Sequence, residues 1–167
     1  TFSGSEHPRG SDEIVGLDSG GRTPEAILGR YRKIRTHLAN AEAESSLWRS
    51  VHPNADMRKA AEWCEQQTAA LATELQLDRG LFDAFDGLNV DAEPALTQRL
   101  VRKTLEDFKR AGVDKDEATR ARIRKLSDEM VKVGQAFSKT IIQDRREIRV
   151  DPKALDGLPE DYVTAHK

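Results

Sequence analysis

The sequence predicts an all-α protein, and three observations carry that prediction. Ala, Leu, Glu, Lys, Arg and Gln abound in a chain that is 37% hydrophobic and 34% charged, and these residues lose little side-chain entropy in a helix. Aromatic residues are scarce, at 5%. Apolar residues recur at three- and four-residue steps along most of the chain, the spacing that stacks them on one helix face. At 167 residues, the chain can bury a real core as one domain or form an elongated helical subassembly.

Residues 1–22 hold Gly4, Gly10, Gly16, Gly20 and Gly21 among Ser, Asp and Pro. So little apolar surface cannot offset chain entropy, and the segment reads as a flexible lead-in. Its apolar cluster of Ile14, Val15 and Leu17 could instead dock onto the body. The body, residues 23–167, starts with Thr23 as an N-cap and Pro24 at the first helical position, where a missing amide costs nothing. Ile27, Tyr31, Ile34 and Leu38 then share one face, and the helix is expected to end near residues 40–43. A short helix over 45–51, carrying Leu47, Trp48 and Val51, closes at His52-Pro53, because proline disfavours helix at the residue before it.

Asn54 caps a third, Ala-rich helix with an inner row of Met57, Ala60 or Ala61, Cys64, Thr68, Leu71 and Leu75. Asp78, Arg79 and Gly80 interrupt it, and Leu81, Phe82, Phe85 and Leu88 form the apolar face of a brief fourth helix, whose two phenylalanines anchor the core. Pro94 opens a fifth helix carrying Leu96, Leu100, Val101, Leu105 and Phe108, and Gly112 ends it. Asp114 and Glu117 resemble a capping box. Beyond them Ile123, Leu126, Met130, Val133, Phe137 and Ile141 recur at helical steps. This sixth helix reaches roughly 40 Å at 1.5 Å per residue, and it is expected to pair antiparallel with the fifth as a long helical hairpin.

Ile148 and Val150 alternate with Arg149, a short strand signature over residues 147–150. Asp151-Pro152 and the run 155–159 read as a turn or short helical link before a last helical segment over 160–166. No second strand is predicted, and a lone one leaves its backbone groups unpaired. The unpaired strand and the uncapped last helix together lead to the expectation that the sequence is the front part of something larger.

Lys and Arg total 27 against 29 for Asp and Glu, a formal charge of -2, so no global pull toward nucleic acid or a membrane surface is expected. No stretch approaches the roughly 18–20 uninterrupted apolar residues of a bilayer span, and mean hydropathy is -0.68. The single cysteine, Cys64, excludes an internal disulfide and any zinc site built on several thiolates, and it fits a reducing, cytoplasmic compartment. Because the first residue is Thr1 and not Met, a processed or exported form is compatible with the same sequence.

Groups able to do chemistry are few. The four histidines, His7, His37, His52 and His166, show no metal-binding spacing, and no H-E-x-x-H helix, phosphate-binding glycine loop or G-x-S-x-G elbow is present. Cys64 falls on an apolar row and reads as packing. Asp83 and Asp86 share a face one turn apart, a spacing also common on solvated helices. The sequence therefore offers no catalytic, cofactor-binding or metal-ligating residue. Basic side chains concentrate in the fifth and sixth helices, at Arg99, Arg102, Lys103, Lys109, Arg110, Lys115, Arg120, Arg122, Arg124 and Lys125. Acids at Glu106, Asp107, Asp114, Asp116 and Glu117 interleave with them, which argues for a salt-bridged pair and against nucleic-acid readout.

The run Leu47-Trp48-Arg49-Ser50-Val51-His52-Pro53-Asn54-Ala55-Asp56-Met57-Arg58-Lys59-Ala60-Ala61 resembles the segment of thimet-oligopeptidase-type metallopeptidases in which V-x-P-x-x-x-V-R-x-A opens a long helix. Leu105-Glu106-Asp107-Phe108-Lys109-Arg110-Ala111-Gly112-Val113 is similar to that family's hairpin turn. Leu126, Met130, Gly134, Phe137 and Ser138 fall on its L-x-x-x-[LM]-x-x-x-x-x-x-F-[SN] pattern, and Leu155-Asp156-Gly157-Leu158-Pro159-Glu160-Asp161-Tyr162 on its L-x-G-L-P-x-D-[FY] box. These matches run in order from about residue 43 to 167. The resemblance implies the N-terminal helical lobe of a two-lobed zinc peptidase that encloses a channel and hydrolyses short peptides.

In such an enzyme zinc polarises the scissile carbonyl and a glutamate activates water. The resemblance puts both on a distant C-terminal part, in the same or a second chain, so that the present residues form a channel wall and ligate no metal. The catalytic part and short peptide substrates are the partners it implies. The competing expectation is a self-sufficient helical adaptor that holds a protein or nucleic acid through its basic hairpin.

Overall fold

The computed structural model describes residues 11–18, 21–144, 146 and 148–165. Among them the chain is helical throughout, with no strand. Seven α-helices follow in order: α1 (Asp12–Val15), α2 (Pro24–Val51), α3 (Ala55–Gln76), α4 (Arg79–Asp86), α5 (Ala95–Ala111), α6 (Glu117–Gln143) and α7 (Glu160–Ala165), with a 3-10 turn over Pro152–Leu155 before the last. Two compact units divide the chain after Gln135. No helix is long and apolar enough to cross a membrane among the described residues.

In the first unit the principal pairing is between α2 and α3. The γ-oxygen of Thr23 accepts from the Ala26 amide at 3.2 Å, as its N-cap role requires. From there α2 continues for 28 residues without the break expected near residue 40. Residues 40–46 contain neither Gly nor Pro, and the buried Ser45 hydroxyl donates to the carbonyls of Ala41 and Glu42, at 2.7 and 3.1 Å, so its polar group is satisfied inside the helix. The two sequence-expected helices are therefore one. It stops at His52, which turns extended (ψ 131°) ahead of Pro53. The Asn54 side chain caps α3 by accepting from the amides of Asp56 and Met57. Because only residues 52–54 join them, α2 and α3 form the antiparallel helical hairpin of the molecule.

Across this hairpin α4 and α5 complete the core. Asp78 caps α4 through the Leu81 amide at 2.9 Å, so the Asp-Arg-Gly interruption is itself the helix start. Phe85 is fully enclosed and meets Tyr31 edge-on at 5.0 Å and Phe108 at 5.8 Å, while Phe82 stands perpendicular to Phe108. Ile27, Leu38, Leu75, Leu81 and Val101 close around them. Both phenylalanines anchor the core, as the sequence predicts.

The lead-in contributes to that core. Ile14 is 0% exposed, and α1 packs against α4 and α2. Arg22 fastens it by donating to the carbonyls of Val15 and Leu17 at 2.9 and 3.0 Å. Of the two readings for Ile14, docking is the one seen. Residues 1–10, His7 among them, lie outside the described residues.

Gly112 ends α5 with a left-handed φ of 99°. The Val113 amide reaches back to the Phe108 carbonyl at 3.1 Å, the bond pattern that glycine permits at a helix end. The cap of α6 is Asp116 and not Asp114: its carboxylate accepts from the Thr119 amide at 2.9 Å. The fifth and sixth helices meet at the turn between them, where Ile123 stands against Gly112, but the expected pairing along their length is not among the principal helix contacts. Val101, Thr104 and Phe108 of α5 are already buried, and α5 packs against α3 and α4. The sixth helix faces the body with a different row, containing Ser127, Val131 and Gln135. At 100° per residue this row is roughly a third of a turn from Leu126, Met130 and Val133.

The second unit, from Ala136, holds the end of α6, the 3-10 turn and α7. Asp151 caps the turn through the Lys153 amide. None of its described residues is buried. The strand expected over 147–150 is not formed among the described residues: Ile148 is 85% exposed, and Glu147 lies outside them. A strand without a neighbour has no partner for its backbone groups.

Candidate functional site

The side chains that could do chemistry do not converge. His37 is exposed on α2, while His52 accepts from the Asn54 amide through Nδ1 at 3.1 Å and lies 5.6 Å from the Trp48 ring. His52 is thus a turn residue at the tip of the α2–α3 hairpin. His166 is outside the described residues. Cys64 is half-buried on α3. Asp83 is ion-paired with Arg79 at 3.0 Å, and Asp86 lines the rim of a surface cleft apart from it. No group of three His, Cys, Asp or Glu side chains able to hold a metal occurs among the described residues.

Half of the ten basic residues between 99 and 125 are engaged by the acids among them. Lys103 binds Glu106 at 2.7 Å, Arg110 binds Asp107 at 3.2 Å, Lys115 binds Asp114 at 3.0 Å, and Glu117 holds both Arg120 and Arg124. These contacts keep the acids ionised. The hydrogen bond from Lys103 holds Glu106 below the usual carboxylate range, that from Lys115 does so for Asp114, and those from Arg124 and then Arg120 do so for Glu117. Lys109 lies over the Phe82 ring at 5.7 Å. The ten basic residues between 99 and 125 still outnumber the five acids among them, so the segment keeps a local positive charge.

Two surfaces can receive a partner. A cleft of about 280 Å³ between α4 and α5 has Phe85, Leu88, Val90, Val101 and Leu105 in its wall and Arg102, Glu106 and Lys109 beside them. The second is the apolar row of α6. Leu126, Met130 and Val133 are exposed, Met130 by 74%, and the same helical spacing continues through the exposed Phe137 and Ile141. Runs of large apolar side chains left to water mark docking surfaces.

Sequence reasoning missed one constellation, the polar contact that fastens α6 to the hairpin. Gln135 is 6% exposed. Its Oε1 accepts from Gln66 Nε2 at 2.7 Å, and its Nε2 donates to Glu65 Oε2 at 2.7 Å and to the Glu62 carbonyl at 3.2 Å. Arg49 Nε stands 2.7 Å from the same Glu65 oxygen. No apolar pattern signals these residues, because they occupy the polar sides of their helices.

No family model, curated protein or solved structure matches this chain.

Proposed function

We propose that this chain is the N-terminal helical part of a zinc-dependent oligopeptidase of the thimet-oligopeptidase type, forming a wall of the channel through which short peptides reach the catalytic part. The ordered series of boxes from the V-x-P run at residues 51–53 to the L-x-G-L-P-x-D run at 155–161 supports this reading. The structural observation that carries it is the apolar row of α6 together with the unburied second unit. Leu126, Met130, Val133, Phe137 and Ile141 stand in water in this chain, and each is worth about 1.5–3 kcal/mol when fully covered. An enzyme lobe leaves such a face for the rest of the enzyme, and a strand over 147–150 would find its pairing partner there.

The described residues do not fit a zinc ion: His37 and His52 lie on separate parts of the hairpin, and no third ligand joins them. In this reading the metal and the bond-breaking groups belong to the catalytic part, in the same or a second chain. The test is a zinc titration and a peptide-cleavage assay on the 167-residue chain alone. Neither one-to-one tight zinc binding nor cleavage is expected, and either would overturn the assignment of roles. Salt-sensitive binding of nucleic acid or an acidic protein by the isolated chain would support the adaptor reading in its place.

A further inference from the structure

The contact that holds α6 to the hairpin is polar and shared. The Cδ1 of the half-buried Ile123 stands so close to Gly112 that a Cβ there would lie 2.7 Å from it, and among the described residues of α6 only the side chain of Gln135 is buried. Its amide is satisfied on α3 by Gln66, Glu65 and the Glu62 carbonyl. The Glu65 carboxylate has a second suitor on α2. Arg49 Nε approaches the same oxygen to 2.7 Å, yet this enclosed nitrogen makes no hydrogen bond of acceptable direction. Gln135 takes the aligned bond, and Arg49 Nε is left with charge attraction at that oxygen.

Opening α6 would exchange one satisfied arrangement for another. The Gln135 and Gln66 amides pass to water, and the bond from Gln135 to the Glu65 carboxylate is given up. Glu65 is then free to realign on Arg49, which gains the charge-assisted bond it lacks in the closed form. Little apolar surface resists the movement, because Leu126, Met130 and Val133 already face water. We propose that Arg49, Glu65 and Gln135 form a two-position latch: Glu65 holds α6 through Gln135 when closed and is taken by Arg49 when α6 swings from α3 about the Gly112–Ile123 contact.

Hydrogen exchange of the amides of residues 127–135 in the full chain tests this, with the α3 amides of residues 61–75 as internal reference. Gln135→Ala removes the closed-state partner and should speed exchange by about tenfold to a hundredfold, the range for loss of a hydrogen bond to a charged group. Arg49→Met keeps the aliphatic stem but removes the competitor, and it should slow exchange of the same amides several-fold. These opposite signs distinguish a latch from simple structural support. If Arg49→Met speeds exchange in α6, or if Gln135→Ala leaves it unchanged, the proposal is overturned. Should Gln135→Ala fail to fold, Gln66→Met removes a second closed-state bond and is expected to act with the same sign.

Discussion

Ile14 belongs to a four-residue helix in a stretch whose composition is that of a loose lead-in, yet its side chain is wholly enclosed. Replacing it with alanine removes three buried carbons and leaves a void among α1, α2 and α4. Such truncations cost about 2–5 kcal/mol when the site cannot collapse. Here α1 can detach, held otherwise by the two Arg22 bonds, so the loss is capped at the docking energy of α1 and about 2–3 kcal/mol is expected. With a urea dependence of about 2 kcal/mol per molar, the unfolding midpoint followed by helical circular dichroism should fall by about 1–1.5 M. A second substitution supplies the control. A Cβ at Gly80 would stand 3.1 and 3.2 Å from the two Val15 methyls. In the Ile14→Ala background, where α1 is loosened, Gly80→Ala should show the usual alanine gain of about 0.5–1 kcal/mol inside a helix, and in the parent chain it should show less. An unchanged midpoint for Ile14→Ala, with an equal Gly80→Ala gain in both backgrounds, would refute the docking of α1.

Phe85→Ala should cost about 3–5 kcal/mol in the same urea assay, because the ring is fully buried between Tyr31 and Phe108. Gly112→Ala places a side chain at φ 99° and against Ile123, and a loss of about 1–3 kcal/mol in the unfolding midpoint is expected. Asp116→Ala should cost about 1 kcal/mol through the lost cap of α6, whereas Asp114→Ala should not remove that cap; thermal melts of the pair separate the two. The acids Glu106, Asp114, Asp116 and Glu117 are held below their ordinary values, by Lys103, Lys115, Thr119 and Arg124 in turn. Their stabilising contribution is present above the unfolded values near about 4 and is lost as pH falls through the folded ones, so urea midpoints should hold from neutral to about pH 5 and decline below about pH 4. At the other extreme, burial raises the Tyr31 phenol. The stability it contributes is present below about pH 10 and is lost as pH rises through its raised folded value, which the midpoint and the phenolate absorbance should report together.

The features legible in the sequence were those decided within a turn or two of chain. Thr23, Asn54 and Gly112 end or begin helices where their side chains and backbone freedom require it, and the phenylalanines of α4 reach the core because eight residues leave few other faces to bury. The continuity of α2 was missed because Asn40, Ser45 and Ser46 count against a helix locally, whereas the Ser45 hydroxyl bonds back to the helix itself and its side chain is enclosed. Periodicity also ranked α6 by its apolar row, which is its outward face in this chain. A helix contact made through Gln135, Gln66 and Glu65 leaves no hydrophobic trace, so neither the true docking side of α6 nor the latch residues could be read from spacing. The docking of Ile14 is set by the packing of α1 against α4 and α2, including the close approach of Val15 to Gly80, and local composition carries no sign of it.

The proposed role as the helical lobe of a zinc oligopeptidase is tested most directly on native material containing the chain. Intact mass and zinc content would be measured together with cleavage of a quenched-fluorescent short peptide, with and without a chelator. The account predicts a larger polypeptide or a co-purifying partner, about one zinc per assembly, and cleavage that the chelator abolishes. A chain that purifies alone, free of metal, cooperatively folded and inactive on peptides would contradict it.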